Sequence, residues 1–199
     1  MGLFDKGYDF AIPITSGCYA GNGVVVGDLL ITAGHVVNKV DTIHITIKGD
    51  AYSLNRNDAI VCLEEKSNEE GLFNDCAVYK LNNRYNHLTI ENYIPTVGEV
   101  LQSVSYKHIV EMQATDCIGI FGTQYKESYE LCTSRATIVD IIGNFIICEM
   151  DEPLEEGRSG SPLICGDKVV GILHGGIEGK MCIFQSIASI QQRILQNQS

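Results

Sequence analysis

Apolar and polar positions alternate along much of the chain. From Thr42 to Ile47, Ile43, Ile45 and Ile47 alternate with Thr42, His44 and Thr46. A period of two marks a strand with one buried face. The stretches "GVVVGDLLITAG", "AIVCLEE", "DCAVYKL", "ATIVDIIGNFIICEM" and "DKVVGILHGG" are rich in Val, Ile, Thr and aromatic residues, with Gly, Asn and Asp between them at turn spacing. Many short strands at regular intervals predict an all-β sandwich or barrel. Two places invite a helix. One is "HVVNKV", directly after Gly34; the other is the tail, "SIASIQQRILQNQS". In the tail Ile187, Ile190 and Ile194 fall on one helical face that can dock on a core, and the last polar residues are expected to fray. The more polar segment Leu81–Glu99, with Pro95, reads as a join between two halves, and "EEKSNEEGLFND" as a solvated acidic loop.

Composition narrows the function classes. The chain has 199 residues, 45% hydrophobic and 20% charged, which suits one folded domain or two small subdomains and argues against disorder. A formal net charge of -11 without a Lys/Arg cluster makes a nucleic-acid partner a poor candidate. No apolar run approaches the roughly 20 residues that span a bilayer, so no membrane partner is expected. "MGLFDKGYDF" is not a secretory signal, and Lys6 stands where a myristoylation motif takes Ser or Thr. A cytoplasmic location is therefore expected. The eight cysteines include no C-x-x-C pair, and most lie in apolar stretches. They read as buried free thiols, with no metal and no cofactor expected.

Three motifs carry candidate chemistry: "LLITAGHVV" with His35, "NDCAVYKL" with Asp75, and "GRSGSPL" with Ser159. A serine hydroxyl is a weak nucleophile that needs an adjacent base. Histidine can take its proton and return it to a leaving group, and a carboxylate holds the imidazole in the right tautomer. Gly157 permits a sharp turn in which the backbone N–H groups of Gly157 and Ser159 can point at one oxyanion. Each motif alone is common in loops and strand ends; their joint occurrence is the signal. The α/β-hydrolase elbow, G-x-S-x-G, is not matched, because Ser161 holds its last position.

The order His, Asp, Ser resembles that of chymotrypsin-like serine proteases. "GNGVVVGDLLITAGHV" is similar to the family's strands leading to the catalytic histidine, and "DCAVYKL" to its Asp-x-Ala-aliphatic motif. "EGRSGSPLICGDKVVGILHGG" is similar to its nucleophile loop and cleft strand. The resemblance implies an all-β fold of two antiparallel six-stranded β-barrels with a C-terminal helix. It divides one peptidase domain into a first barrel over about 1–85, a second over 86–185 and the helix over 186–199. It also implies a serine endopeptidase acting on protein or peptide substrates through an acyl-enzyme. His35, Asp75 and Ser159 would be catalytic, and the Gly157 and Ser159 N–H groups would form the oxyanion hole. Leu154, His174, Gly175 and Gly176 would bind substrate.

Several departures narrow the subfamily. Arg158 stands where secreted members carry an aspartate that pairs with a newly cut N-terminus, and Val36 replaces the cysteine after the catalytic histidine. Both point to the viral, bacterial and phage branch, without zymogen cleavage. His174 is one residue later than the histidine that reads Gln or Glu in some relatives. It either supports Asp75 by a hydrogen bond or touches substrate. Pro153 and Leu154 fall near the base of the primary pocket, so trypsin-like recognition of Lys or Arg is not expected. Glu149, Asp151, Glu152, Glu155 and Glu156 form either an anionic cleft mouth or a solvated loop. Cys165 and Cys117 are expected as neighbours, by resemblance to strands bridged in secreted members. The alternatives are a catalytically inactive peptide-binding module and a structural, capsid-type β-domain, which would leave the three ordered motifs without a purpose.

Overall fold

The computed structural model describes residues 8–16, 19–64, 72, 74–91, 93–117 and 120–197. Cys18 and most of the acidic loop lie outside these residues. The first half supplies β1 (Ala11–Ser16), β2 (Tyr19–Val26), β3 (Leu29–Thr32), α1 (Gly34–Asn38), β4 (Thr42–Ile47), β5 (Asp50–Asn55), β6 (Val61–Glu64) and β7 (Asp75–Lys80). The second supplies β8 (Val100–Cys117), β9 (Ile120–Ile142), β10 (Phe145–Met150), β11 (Pro162–Cys165), β12 (Lys168–Gly176), β13 (Met181–Ser186) and α2 (Ile187–Asn197). The fold is all-β and chymotrypsin-like, as expected.

The second half closes into a six-stranded barrel in the order β10–β13–β12–β11–β8–β9. The first is a seven-stranded sheet, β5–β4–β1–β2–β3–β7–β6, curled as a half-barrel. The extra strand has a local cause. Asn55 and Asp58 form a capping box around a 3-10 turn at Arg56–Asp58. The turn splits what would be one strand, so β5 pairs with β4 and β6 pairs with β7.

Three cores follow from the strand patterns. In β4 the expected alternation holds, with Ile43, Ile45 and Ile47 buried between exposed or half-buried polar residues. Strands β3 and β7 bury both faces instead. Leu30, Ala77 and Tyr79 fill the interior of the first sheet. Ile31, Cys76 and Val78 face a core shared with Val104 and Ile172 of the second barrel and with α2. This double burial explains the continuous apolar run in "DCAVY". It also makes β7 the seam between the halves. The expected face of α2 is the one that docks, since Ile187, Ile190 and Ile194 are all buried.

One expectation is corrected. Strand β11 meets β8 at Gln102 and Ser103, whereas Cys117 ends β8, opposite Ile120. β8 and β9 extend far beyond the barrel as one hairpin, which carries Cys117 away from Cys165. The cysteines at 62, 76, 132, 148, 165 and 182 are free thiols, and burial pushes the Cys148 thiol up to about 12. Ile190→Ala should lower the unfolding free energy by about 2–5 kcal/mol. Leu195→Ala, on the exposed face of α2, should change it by less than about 0.5 kcal/mol. Denaturant titration of the two variants checks this docking.

Candidate active site

The seam positions the three motifs. Strand β3 ends in Thr32, and α1 begins two residues later with Gly34 and His35. A Cβ on Gly34 would lie 2.2 Å from the Leu63 carbonyl oxygen and 2.7 Å from Asp75 Oδ1. Only glycine allows α1 to sit this close to β6 and β7. The close approach lets the His35 backbone N–H donate to Asp75 Oδ1 at 2.7 Å. The His35 ring then donates from Nδ1 to Asp75 Oδ2. From the other barrel, His174 on β12 brings its own Nδ1 to the same Oδ2 at 2.9 Å. The Asp75 backbone N–H donates to Gln185 Oε1 on β13 at 2.8 Å.

Asp75 is 1% exposed. Burial alone would raise its pKa. Hydrogen bonds from His174 and His35, with the charge of His35, outweigh burial and hold it at about 2. An ionised carboxylate only accepts hydrogen bonds, so both histidines must carry their proton on Nδ1 when neutral. That leaves His35 Nε2 with a lone pair, the form a general base requires. The two rings meet edge to face, 6.0 Å apart between centroids. His174 thus takes the first of its two expected roles, contact with Asp75. The fold also places the ligand-type atoms of His35, Asp75 and His174 within 4.8 Å of one another. These donor types suit a divalent cation, a set hidden in the sequence by its long spacings. Both Nδ1 atoms here hydrogen-bond the carboxylate.

Ser159 approaches from the second barrel. A Cβ on Gly21 would lie 2.7 Å from Val36 Cγ1 and 3.3 Å from the Ser159 carbonyl oxygen, so the serine backbone and the residue after His35 meet across one glycine. Ser159 is half-buried, and its Oγ makes no hydrogen bond to a described residue. Hydrogen bonds between catalytic groups commonly tighten only around a substrate. Gly157 and Gly160 adopt φ of +82° and +87°, the left-handed region that favours glycine. Among the described residues, nothing accepts a hydrogen bond from the Gly157 or Ser159 N–H.

Around the loop, Leu154 lies beside Gly176: a Cβ there would stand 3.3 Å from Leu154 Cδ2. Gly175 continues β12 from His174. Arg158 is buried; its Nη1 donates to Ser134 Oγ at 3.4 Å, and its Nη2 lies 3.9 Å from Glu155 Oε2. Glu155 also pairs with Lys107 on the β8–β9 hairpin at 2.8 Å. The acidic residues of this region are all exposed. Two of them are engaged, since Arg135 pairs with Asp151.

The family model Trypsin matches residues 6–192. The chain belongs to the trypsin family. It is thereby a hydrolase of the peptidase type. The Rv3671c protease from M. tuberculosis, in its active form, is similar over 94% of this chain and 80% of its own, with 17% identity and a TM-score of 0.62. Tobacco etch virus protease complexed with product is similar over 96% and 78%, with 15% identity and a TM-score of 0.59. A human pathogenic astrovirus serine protease is similar over 89% of each chain, with 15% identity and a TM-score of 0.55. No curated protein matches. These structural likenesses are of fold.

Two residues at the trypsin-family site escaped the sequence reading. Gln185 is 1% exposed and Asn22 is 0% exposed. Each is a polar side chain on a strand, a pattern that alternation alone assigns to solvent. Their signal was position: Asn22 stands between two glycines and Gln185 directly follows the apolar "CIF". The Asp75 carboxylate yields a prediction. Its folded pKa of about 2 lies below the ordinary 3.8, so it stabilises the fold fully above about pH 4 and ceases to as pH falls through about 2. The contribution is about 2 kcal/mol. The stability gap between the parent and Asp75→Asn, followed by denaturant titration at stepped pH, should shrink across that window. A gap independent of pH would contradict the pairing.

Proposed function

We propose that the protein is a serine endopeptidase that cleaves internal peptide bonds of protein or peptide substrates. The observation that carries this reading is the buried, ionised Asp75, which holds His35 with Nδ1 protonated and Nε2 free. In the proposed reaction, Ser159 Oγ attacks the scissile carbonyl carbon while His35 Nε2 accepts the hydroxyl proton. The carbonyl oxygen becomes an oxyanion and takes hydrogen bonds from the Gly157 and Ser159 N–H groups. His35 returns the proton to the leaving amine, the C–N bond breaks, and an acyl-enzyme remains on Ser159. Water, activated by the same imidazole, releases the carboxylic acid and restores the serine.

His174 is assigned a positioning role, as second donor to Asp75 Oδ2. Leu154, Gly175 and Gly176 are assigned to the substrate cleft, where Leu154 offers an apolar wall. A peptide partner accords with the tobacco etch virus structures, which hold substrate or product. The Gly157 and Ser159 N–H groups, which no described residue accepts from, are left for an oxyanion, and this supports catalysis over passive peptide binding.

A fluorophosphonate probe separates the readings. Labelling of the parent at neutral pH, lost in Ser159→Ala, is expected; a folded parent that never labels would favour the inactive module. Asp75→Asn should lower turnover by about 10⁴, the loss seen when a triad histidine is held in the wrong tautomer. Labelling should persist with chelator present. Loss of labelling on chelation would instead assign the His35, Asp75 and His174 set to a metal.

A further inference from the structure

Asn22 makes more contacts across the seam than its place in an ordinary strand requires. It is 0% exposed. Its Nδ2 donates to the Gly157 carbonyl at 2.8 Å and to the Tyr106 carbonyl at 3.0 Å. Its Oδ1 accepts from the Tyr106 N–H at 2.6 Å. Its own backbone N–H donates to the Ser159 carbonyl at 2.7 Å. Its backbone carbonyl accepts from Thr32 Oγ1 and would be only 1.9 Å from a Cβ on Gly160. One residue of the first sheet therefore grips β8 and the nucleophile loop of the second barrel.

The peptide planes show what the grip does. The Gly157 carbonyl belongs to the peptide joining 157 to 158, and Asn22 Nδ2 holds it. The Ser159 carbonyl belongs to the peptide joining 159 to 160, and Asn22 N–H holds it. The peptide between them carries the Ser159 N–H. Its carbonyl, on Arg158, accepts from the Ser161 N–H at 3.1 Å and from Ser161 Oγ. Each peptide is planar, so pinning a carbonyl also fixes the direction of the N–H across the same plane. Three successive planes are pinned: the outer two, which carry the Arg158 and Gly160 N–H groups, by Asn22, and the central one, which carries the Ser159 N–H, by Ser161. We infer that Asn22 is a positioning residue that, by holding both planes flanking the one with the Ser159 N–H, presets the direction of this oxyanion donor before substrate arrives. The side-chain amide does the part that no other residue type does at this size: it donates to two carbonyls and accepts from one N–H.

This inference rests on Ser159 being the nucleophile, and the test separates the two. In labelling by a fluorophosphonate, Ser159 Oγ bonds to phosphorus, fluoride leaves, and the negative charge that builds on the phosphoryl oxygen in the transition state draws on the same Ser159 N–H. The rate is measured against probe concentration for the parent, Asn22→Asp and Asn22→Ser, giving a limiting rate and a half-saturation concentration. Each is normalised to the folded fraction from thermal unfolding. Asp keeps the shape but loses the donors; Ser is too short to span both carbonyls. Complete loss of an oxyanion donor costs about 10²–10³, so a misaimed one should lower the limiting rate about tenfold to a hundredfold. The half-saturation concentration should stay within about threefold. A merely structural role would lower the folded fraction and leave the limiting rate per folded molecule unchanged, and that result overturns the inference. A parent that does not label at all overturns the nucleophile reading, and this inference with it. Should both variants fail to fold, the parent carries the test through the NMR signals of the Asn22 side-chain amide. Slow exchange with solvent and a shift on phosphonylation of Ser159 support the role. Exchange at the rate of a free amide, or no shift, overturns it.

Discussion

The buried charge of Asp75 is the constraint on which the rest of this structure depends. A carboxylate removed from water is costly unless its oxygens are hydrogen-bonded and a countercharge is near. Here Oδ1 takes the His35 backbone N–H, and Oδ2 takes two imidazole Nδ1–H groups. No single sheet could supply all of these. His35 comes from α1 in the first half and His174 from β12 in the second. The charge can exist only where the halves meet, and its need for donors from both sides ties them in one arrangement. The same contacts orient His35, so the energetic requirement and the chemical one are met by the same atoms.

Close approach at the seam follows from small residues and from double burial. Gly34 and Gly160 each stand where a Cβ would overlap a backbone carbonyl of a neighbouring segment. β7 gives its odd and even side chains to different cores, so neither face is left to solvent. With both faces packed, a shift of β7 along its axis would displace two cores at once. Asp75, its first residue, inherits that rigidity.

What could be read in the sequence, and what could not, divides along physical lines. His35, Asp75 and Ser159 were legible as candidates because each sits in the local context that a triad residue takes, and the structure joins the first two. The alternation of β4 and the isoleucine face of α2 were legible because one buried face imposes a period. The first sheet's seventh strand was not legible, because it depends on a capping box at Asn55 and Asp58. The long β8–β9 hairpin was hidden because its residues have strand character without a marker of length. It overturned the expected neighbourhood of Cys165 and Cys117. His174 was legible as a candidate with two roles left open; its contact with Asp75 accompanies a bulge between Leu173 and Gly175 in the β12–β13 pairing, which the sequence does not mark. Asn22 and Gln185 were missed because a buried amide and an exposed one look alike in a polar-apolar pattern. Only their partners, many residues away in the chain, distinguish them.

Arg158 shows how the same loop can be held with opposite polarity. The resemblance places an anion before the nucleophile, satisfied by an ammonium group from elsewhere in the chain. This chain places a cation there, and the anion comes from Glu155, three residues earlier in the same loop. Glu155 is held in turn by Lys107 on the β8–β9 hairpin. The buried guanidinium thus links the nucleophile loop to a hairpin of its own barrel, through Ser134 as well as through Glu155. The distance of 3.9 Å from Arg158 to Glu155 and the exposure of Glu155 make this a loose electrostatic tie. Hydrogen bonds at 2.8 Å and 2.7 Å from Asn22 provide the tight one. The loop therefore draws its direction from neutral hydrogen bonds that the Asn22 side chain and backbone donate across the seam, and its charge only balances what folding has buried.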